Sequence, residues 1–230
     1  MIQTLIDSFH FFRNNLDKIA ILILAFVGLA NISELAVSNI LPPSVPEETS
    51  TLVQLLLGFV LNAIFQCTFI MMLASINKHQ QISLLQCLRD AIPFVVIFLL
   101  GSILVNSIIF VGLLFLILPG AYLYARLAFF DFELIINSRT PFGAINASWE
   151  RTSGKALRVL LTILPLIVVI LILVLLFNSI GELNFATNII GNIIFWALGA
   201  FIVVVRYRLY TLFSADKPKK KSANGPYKRS

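Results

Sequence analysis

Residues 118–158 read LPGAYLYARLAFFDFELIINSRTPFGAINASWERTSGKALR. The first half is apolar enough to lie in a membrane, yet it carries Arg126, Asp131 and Glu133. The second half is polar and has the marks of a surface helix. How this stretch threads decides how often the chain crosses a membrane and on which side it ends. Pro119-Gly120 reads as a turn or hinge, and residues 121–137 read as a crossing, the least hydrophobic of the set. Thr140 then suits an N-cap and Pro141 a first helical position, where a missing N–H has no partner to lose. Beyond it Phe142, Ile145 and Trp149 recur at i, i+3 and i+7. That spacing predicts a helix over 141–153 lying flat on the membrane, with Trp149 at the head groups.

The composition agrees with a membrane setting. Of 230 residues, 59% are hydrophobic and 12% charged, and the mean hydropathy is +0.94. A soluble domain is about 45–50% apolar and about 25% charged, so a surface for water cannot be made here. The fold class read from the chain is all-α: one polytopic membrane domain, residues 1–213, with six transmembrane helices and short cytoplasmic amphipathic interfacial helices. About 20 apolar residues cross a bilayer core. By that measure the spans fall at 19–40, 51–76, 91–118, 121–137, 159–180 and 185–210. Pro93 would then sit in the first turn of the third span, where it costs little. Interfacial helices are expected over 2–17, where Ile2, Leu5, Ile6, Phe9, Phe12 and Leu16 share a face, over 82–89 and over 141–153. Residues 214–230, with six Lys/Arg among Pro, Gly and Ser, read as a basic disordered cytoplasmic tail.

The net charge of +6 does not point to nucleic acid. The basic residues stand beside apolar runs and in the tail, where they act as topology signals. With six spans, one side holds every Lys and Arg except Arg126. The other holds LPPSVPEETS (41–50), which has Glu47 and Glu48 and no basic residue. The positive-inside rule therefore puts both termini in the cytoplasm of a multi-pass plasma-membrane protein. The basic face should attract anionic lipid, at about 1 kcal/mol per Lys or Arg.

Arg126 is the costliest residue to bury. It lies about seven residues inside the Pro119-Gly120 turn, or roughly 10 Å deep at 1.5 Å per residue. Glu34 lies at nearly equal depth in its own span, so the two are expected to pair. Glu133 shares a face with Arg126 and Tyr122, whereas Asp131 points away. Arg139, Arg151, Arg158, Arg206 and Arg208 surround these carboxylates, which predicts interfacial ion pairs. The candidate cluster is Glu34, Arg126, Asp131, Glu133, Trp149 and Arg151. Asn62, Gln66, Asn106, Asn178 and Asn192 are expected to make interhelical hydrogen bonds. Gly101 and Gly112, inside an apolar helix, should let helices approach closely. His10 and His79 cannot build a zinc site with Cys67 and Cys87, and neither a phosphate loop nor a nucleophile elbow occurs. The chain thus reads as a non-enzyme without cofactor or metal.

The segments SFHFFRNNLDKI (8–19), LPGAYLYARLAFFDFELI (118–135), ASWERTSGKALRVL (147–160) and RYRLYTLF (206–213) resemble the YciC family of bacterial inner-membrane proteins. The resemblance implies a multispanning inner-membrane protein with a Pro-Gly turn, here Pro119-Gly120. It also implies a Ser-Trp-x-x-Thr-x-Gly segment, here Ser148, Trp149, Thr152 and Gly154. It offers no catalytic residues to carry over. The functional expectation is a non-enzymatic protein supporting envelope or lipid homeostasis, with membrane lipid and a membrane-protein partner. The alternative is a small transporter or channel with Arg126 lining the path.

Overall fold

Long runs of Leu, Ile, Val and Phe satisfy their backbone within the segment, which in lipid leaves helix as the open choice. A computed structural model describes residues 2–40, 42, 45–78, 80, 83–179 and 185–215. The predicted tail from residue 216 onward, the junction at 180–184, His79 and Ile82 lie outside the described residues. Within them the chain forms α1 (Ile2–Asn14), α2 (Leu16–Ile40), α3 (Glu47–Asn77), α4 (Leu84–Phe115) and α5 (Ile117–Leu127). It continues as α6 (Phe130–Ile135), α7 (Pro141–Arg151), α8 (Ala156–Ser179) and α9 (Phe185–Ala215). No strand occurs among the described residues. Five of these helices are long and apolar enough to cross a membrane: α2, α3, α4, α8 and α9. The protein is an all-α polytopic membrane protein.

The expected fourth crossing is not one helix. Residues 121–137 fall into α5, of 11 residues, and α6, of 6 residues, with a turn at 128–129. Neither is long enough to cross alone. Together they still return along α4. Gly112 of α4 lies against Gly120 of α5, and Gly101 lies against Phe130 and Leu134 of α6, which is the register of an antiparallel hairpin. At the chain ends, Phe12 of α1 packs edge-on against Phe201 of α9 at 5.7 Å. Both ends of the described chain therefore lie at one end of the bundle, reached by five long helices and one broken return.

The turn into α5 also differs in detail. The chain reverses at Leu116, which is extended (φ −170°, ψ 155°), while Pro119 sits in the first turn of α5, a position needing no amide donor. Gly120 serves the close approach: a Cβ there would stand 2.9 Å from the Leu113 backbone nitrogen.

Among the described residues of the expected 82–89 helix, 83–89 form no separate surface helix but the start of α4. Ser83 caps α4, its hydroxyl accepting from the Gln86 amide at 3.2 Å, and the helix then runs unbroken to Phe115. Pro93 is thus inside the helix rather than in its first turn. Burial of Cys87 and Ala91 in the turns before it holds that helix together despite the missing donor.

The surface helices α1 and α7 turn their small residues inward. Thr4 and Ser8 of α1 are buried, while Ile6 and Phe9 face out. In α7, Ala144, Ala147 and Ser148 are buried, and Phe142 is 71% exposed. The expected apolar faces are thus divided: Ile6, Phe9 and Phe142 are left for lipid, while Phe12 and Ile145 pack on the bundle beside the buried hydroxyls and methyls. Thr140 caps α7 as expected, its hydroxyl accepting from the Gly143 amide at 3.3 Å.

Candidate functional site

Residues 125–135 are all buried, and the helix breaks in the middle of them. A break frees backbone groups that have no water to turn to, so each needs a side-chain partner. The Arg126 carbonyl accepts from the Ser148 hydroxyl at 2.9 Å and has the Thr152 hydroxyl at 3.1 Å. The Ser148 oxygen in turn accepts from the Phe129 amide at 3.1 Å. The Ala128 carbonyl accepts from Arg206 Nε of α9 at 2.9 Å. The Phe132 amide donates to its neighbour's side chain, Asp131 Oδ1, at 3.0 Å.

Ser148, one turn beyond Ala144 on the buried face of α7, and Thr152, the C-cap of that helix, stand four residues apart and are both buried. That spacing stacks the two hydroxyls beside the break. Gly154 follows with φ +69°, the left-handed conformation that lets the chain leave this helix and start α8. The Ser-Trp-x-x-Thr-x-Gly segment is thus a clamp for the broken helix.

The charges are distributed around the same point. Asp131 Oδ1 also takes Arg206 Nη2 at 2.7 Å. Glu133 is fully buried. Its Oε1 accepts from Arg151 Nε at 2.6 Å and lies 2.5 Å from Nη2. Its Oε2 accepts from Asn137 at 2.7 Å and pairs with Arg139 Nε at 3.1 Å. The Arg151 guanidinium lies over the Tyr210 ring, 4.3 Å from its centre, and also contacts the Ser214 hydroxyl. Asn137 donates as well to the Tyr210 hydroxyl at 2.9 Å. The ion pairs expected of Asp131 and Glu133 are present; both carboxylates are buried, and Arg139, its side chain 48% exposed, reaches Glu133 from the surface.

Arg126 and Glu34 do not pair. The Arg126 guanidinium lies 4.2 Å from the centre of the Trp149 ring and 5.8 Å from that of Tyr122. Its Nε is buried without a hydrogen-bond partner among the described residues. Trp149 is therefore a lid on Arg126 as well as a surface residue. Glu34 sits elsewhere, in a cleft with Ser33, Gln54 and Trp196. The two differ in direction, since α2 packs on α3 and α9 while α5 packs on α4, α7 and α8. They also differ in depth: Arg126 lies under α7 near the carbonyl held by Arg206, whereas Glu34 lies beside Trp196, ten residues earlier on α9.

The predicted cluster divides accordingly. Arg126, Asp131, Glu133, Trp149 and Arg151 come together, and Glu34 stands apart. Sequence reasoning did not single out Ser148, Thr152, Asn137 and Tyr210 as partners. The available signal was the i, i+4 pair of hydroxyl residues on one face of α7.

Both oxygens of Glu133 are occupied, and Asp131 is held through Oδ1. No group of three or more His, Cys, Asp or Glu among the described residues is placed to hold a metal ion. The open spaces lie elsewhere. The largest of the described cavities, about 560 Å³, is an apolar groove between α2, α3 and the start of α4. Two smaller spaces, of about 280 and 260 Å³, share Trp196 in their linings. Arg126 lines none of them. No family model, curated protein or solved structure matches the chain.

Proposed function

We propose that this chain is a non-enzymatic protein of the bacterial inner membrane, with both termini in the cytoplasm. In this reading it supports envelope or lipid homeostasis by holding an anionic phospholipid. The apolar groove carries the proposal. Leu22, Phe26, Ile64, Leu88 and Ile92 line it, and Thr68 is the polar residue in its wall. Its size falls in the range of ligand sites, about 300–1,000 Å³. Leu85, on its rim, is 76% exposed, so the groove is open toward lipid and suits an acyl chain.

Charge at the same end suits the head group. Cys87, next to the groove residue Leu88, lies within electrostatic reach of both Asp90 and Lys18. Lys78 and Arg89, both exposed, flank the α3–α4 connection. An anionic phosphate above the groove would meet these side chains. Kinship with the YciC family, suggested by the motif now seen clamping the broken helix, belongs to the same proposal. The ion pairs that hold Asp131 and Glu133 in place support a structural role for this cluster. The packing of Arg126 under Trp149 speaks against a path lined by that residue.

Native mass spectrometry after gentle extraction tests the reading. An anionic phospholipid should stay bound to the wild-type chain, and Ala25→Trp, which fills the groove, should reduce its occupancy about tenfold. Retention of neutral lipid alone, loss of all lipid on mild delipidation, or equal retention by the variant would overturn the proposal.

A further inference from the structure

A second cleft, between α2, α3 and α9, has a chemistry of its own. On α3, Gln54, Gly58, Asn62 and Gln66 follow one another at four-residue intervals, forming an inclined row along the helix. Gln54 and Gly58 line an outer chamber together with Ser33 and Glu34 of α2. Asn62 and Gln66 line an inner chamber together with Phe65 and Phe195. Trp196 of α9 belongs to both walls.

Three observations indicate that the space is meant to be occupied. Gln66 Oε1 is buried and has no hydrogen-bond partner among the described residues. The amide expected to join two helices instead leaves its oxygen unpaired in the wall of the inner chamber, and such a group in a native fold calls for an explanation. Glu34, a carboxylate within an apolar crossing, has no ion-pair partner among the described residues, although intramembrane carboxylates are normally paired. Finally, Gly58 and Gly199 both border empty space: an added Cβ at either would meet nothing within 4 Å.

The groups in the walls restrict the occupant. Glu34 and Gln66 Oε1 are acceptors, and no Lys or Arg lines either chamber. Glu47 and Glu48, in the first turn of α3, add negative charge at the same end of the bundle. An anion is therefore disfavoured and a donor cation favoured. Trp is the strongest aromatic partner for a cation, and Phe65 and Phe195 offer apolar surface beside it.

We infer that the α2–α3–α9 cleft is a binding site for an organic ammonium compound. Glu34 is its counter-charge, Trp196 its aromatic face and Gln66 an acceptor for a donor group deeper in. The site is separate from the apolar groove and does not depend on the lipid proposal. The ammonium group can come from a free amine or from an aminophospholipid head.

The test uses the full chain in uncharged maltoside micelles. The chain has two tryptophans, so Trp149→Phe leaves Trp196 as the sole fluorophore. Calorimetric titration of the unaltered chain repeats the measurement without that change. Octylammonium should shift the Trp196 emission saturably. Octanol should bind at least tenfold more weakly, and octanoate should not saturate. Glu34→Gln, at an exposed position, should weaken octylammonium at least tenfold with an unchanged unfolding midpoint. Ala25→Trp should leave binding intact even where it abolishes lipid retention. Saturation by octylammonium alone would identify a free amine as the source, and saturation also by dihexanoyl phosphatidylethanolamine a lipid head. Equal affinity of Glu34→Gln and wild type, or octanol binding as tightly as octylammonium, would overturn the inference.

Discussion

Helix α4 is held at two levels, and the two contacts use opposite means. Near its C-terminal end it meets α5 backbone to backbone, where a Cβ on Gly112 would stand 3.1 Å from the Gly120 Cα. The surrounding residues, Leu114 to Leu118 in sequence, are 67–79% exposed, and no polar side chain takes part. Eleven residues earlier, roughly 16 Å along the helix, Phe130 and Leu134 of α6 close on Gly101. There the partner segment is wholly buried and carries two carboxylates and a broken backbone. The first contact is made by removing side chains and the second by satisfying them. In lipid, the first loses only shape when disturbed. The second is left with charge and open hydrogen bonds in a place where nothing else can supply partners.

That difference predicts a lopsided response to substitution. Glu133→Ala should have the largest effect. It leaves Arg151, with a side chain 10% exposed, without its counter-charge, and breaking a buried pair costs about 3–5 kcal/mol. Equilibrium unfolding in mild detergent reads this directly. Adding Arg151→Ala should recover part of the loss, and a loss below about 1 kcal/mol would mean that the pair is hydrated after all.

Ser148→Ala comes next. It leaves the Phe129 amide unpaired, while the Arg126 carbonyl keeps the Thr152 hydroxyl, and an unsatisfied buried group costs about 1–3 kcal/mol. One orphaned group places the expected loss near the middle of that range. Hydrogen exchange should show the opening confined to residues 126–132. Uniform exchange along α5 and α6 would contradict a local clamp.

Gly120→Ala should be the mildest of the three. The new methyl would stand 2.4 Å from the Leu113 side chain and 2.9 Å from its backbone nitrogen. Overpacking of this kind costs about 1–3 kcal/mol, and the exposed hairpin can splay to hold the effect near the lower limit. A loss matching that of Glu133→Ala would erase the contrast between the two ends.

Much of the architecture was legible because hydropathy over 20 residues needs no neighbours to interpret. The long helices, the Thr140-Pro141 start of α7 and the glycine contacts of α4 all follow from local rules. The break at 128–129 did not, because ARLAFFDFELI contains no Gly or Pro to announce it. The break is kept open by hydroxyls 20 residues later and by Arg206, and such partners are invisible to a local pattern. The Glu34–Arg126 pairing failed for a related reason: counting residues from a turn gives neither the depth that a broken helix reaches nor its direction around the bundle. Asp131 and Glu133 were read correctly as ion-paired, since five arginines gathered nearby left little choice. Their burial, however, depended on how α7 and α9 pack.

The grip of Arg206 on the break has a consequence for biogenesis. Asp131 and its partner are 75 residues apart in sequence. At about 5–20 residues per second of synthesis, Asp131 leaves the ribosome roughly 4–15 s before Arg206 does. During that interval α5 and α6 carry a bare carboxylate and an unclaimed Ala128 carbonyl, and α8 must be inserted before relief arrives. The fourth segment is thus the last part of the membrane domain to settle although it is made midway, and its insertion is completed only by the arrival of the final helix. Truncation before residue 206 would leave a chain whose earlier helices are intact and whose middle has no stable place in the bilayer.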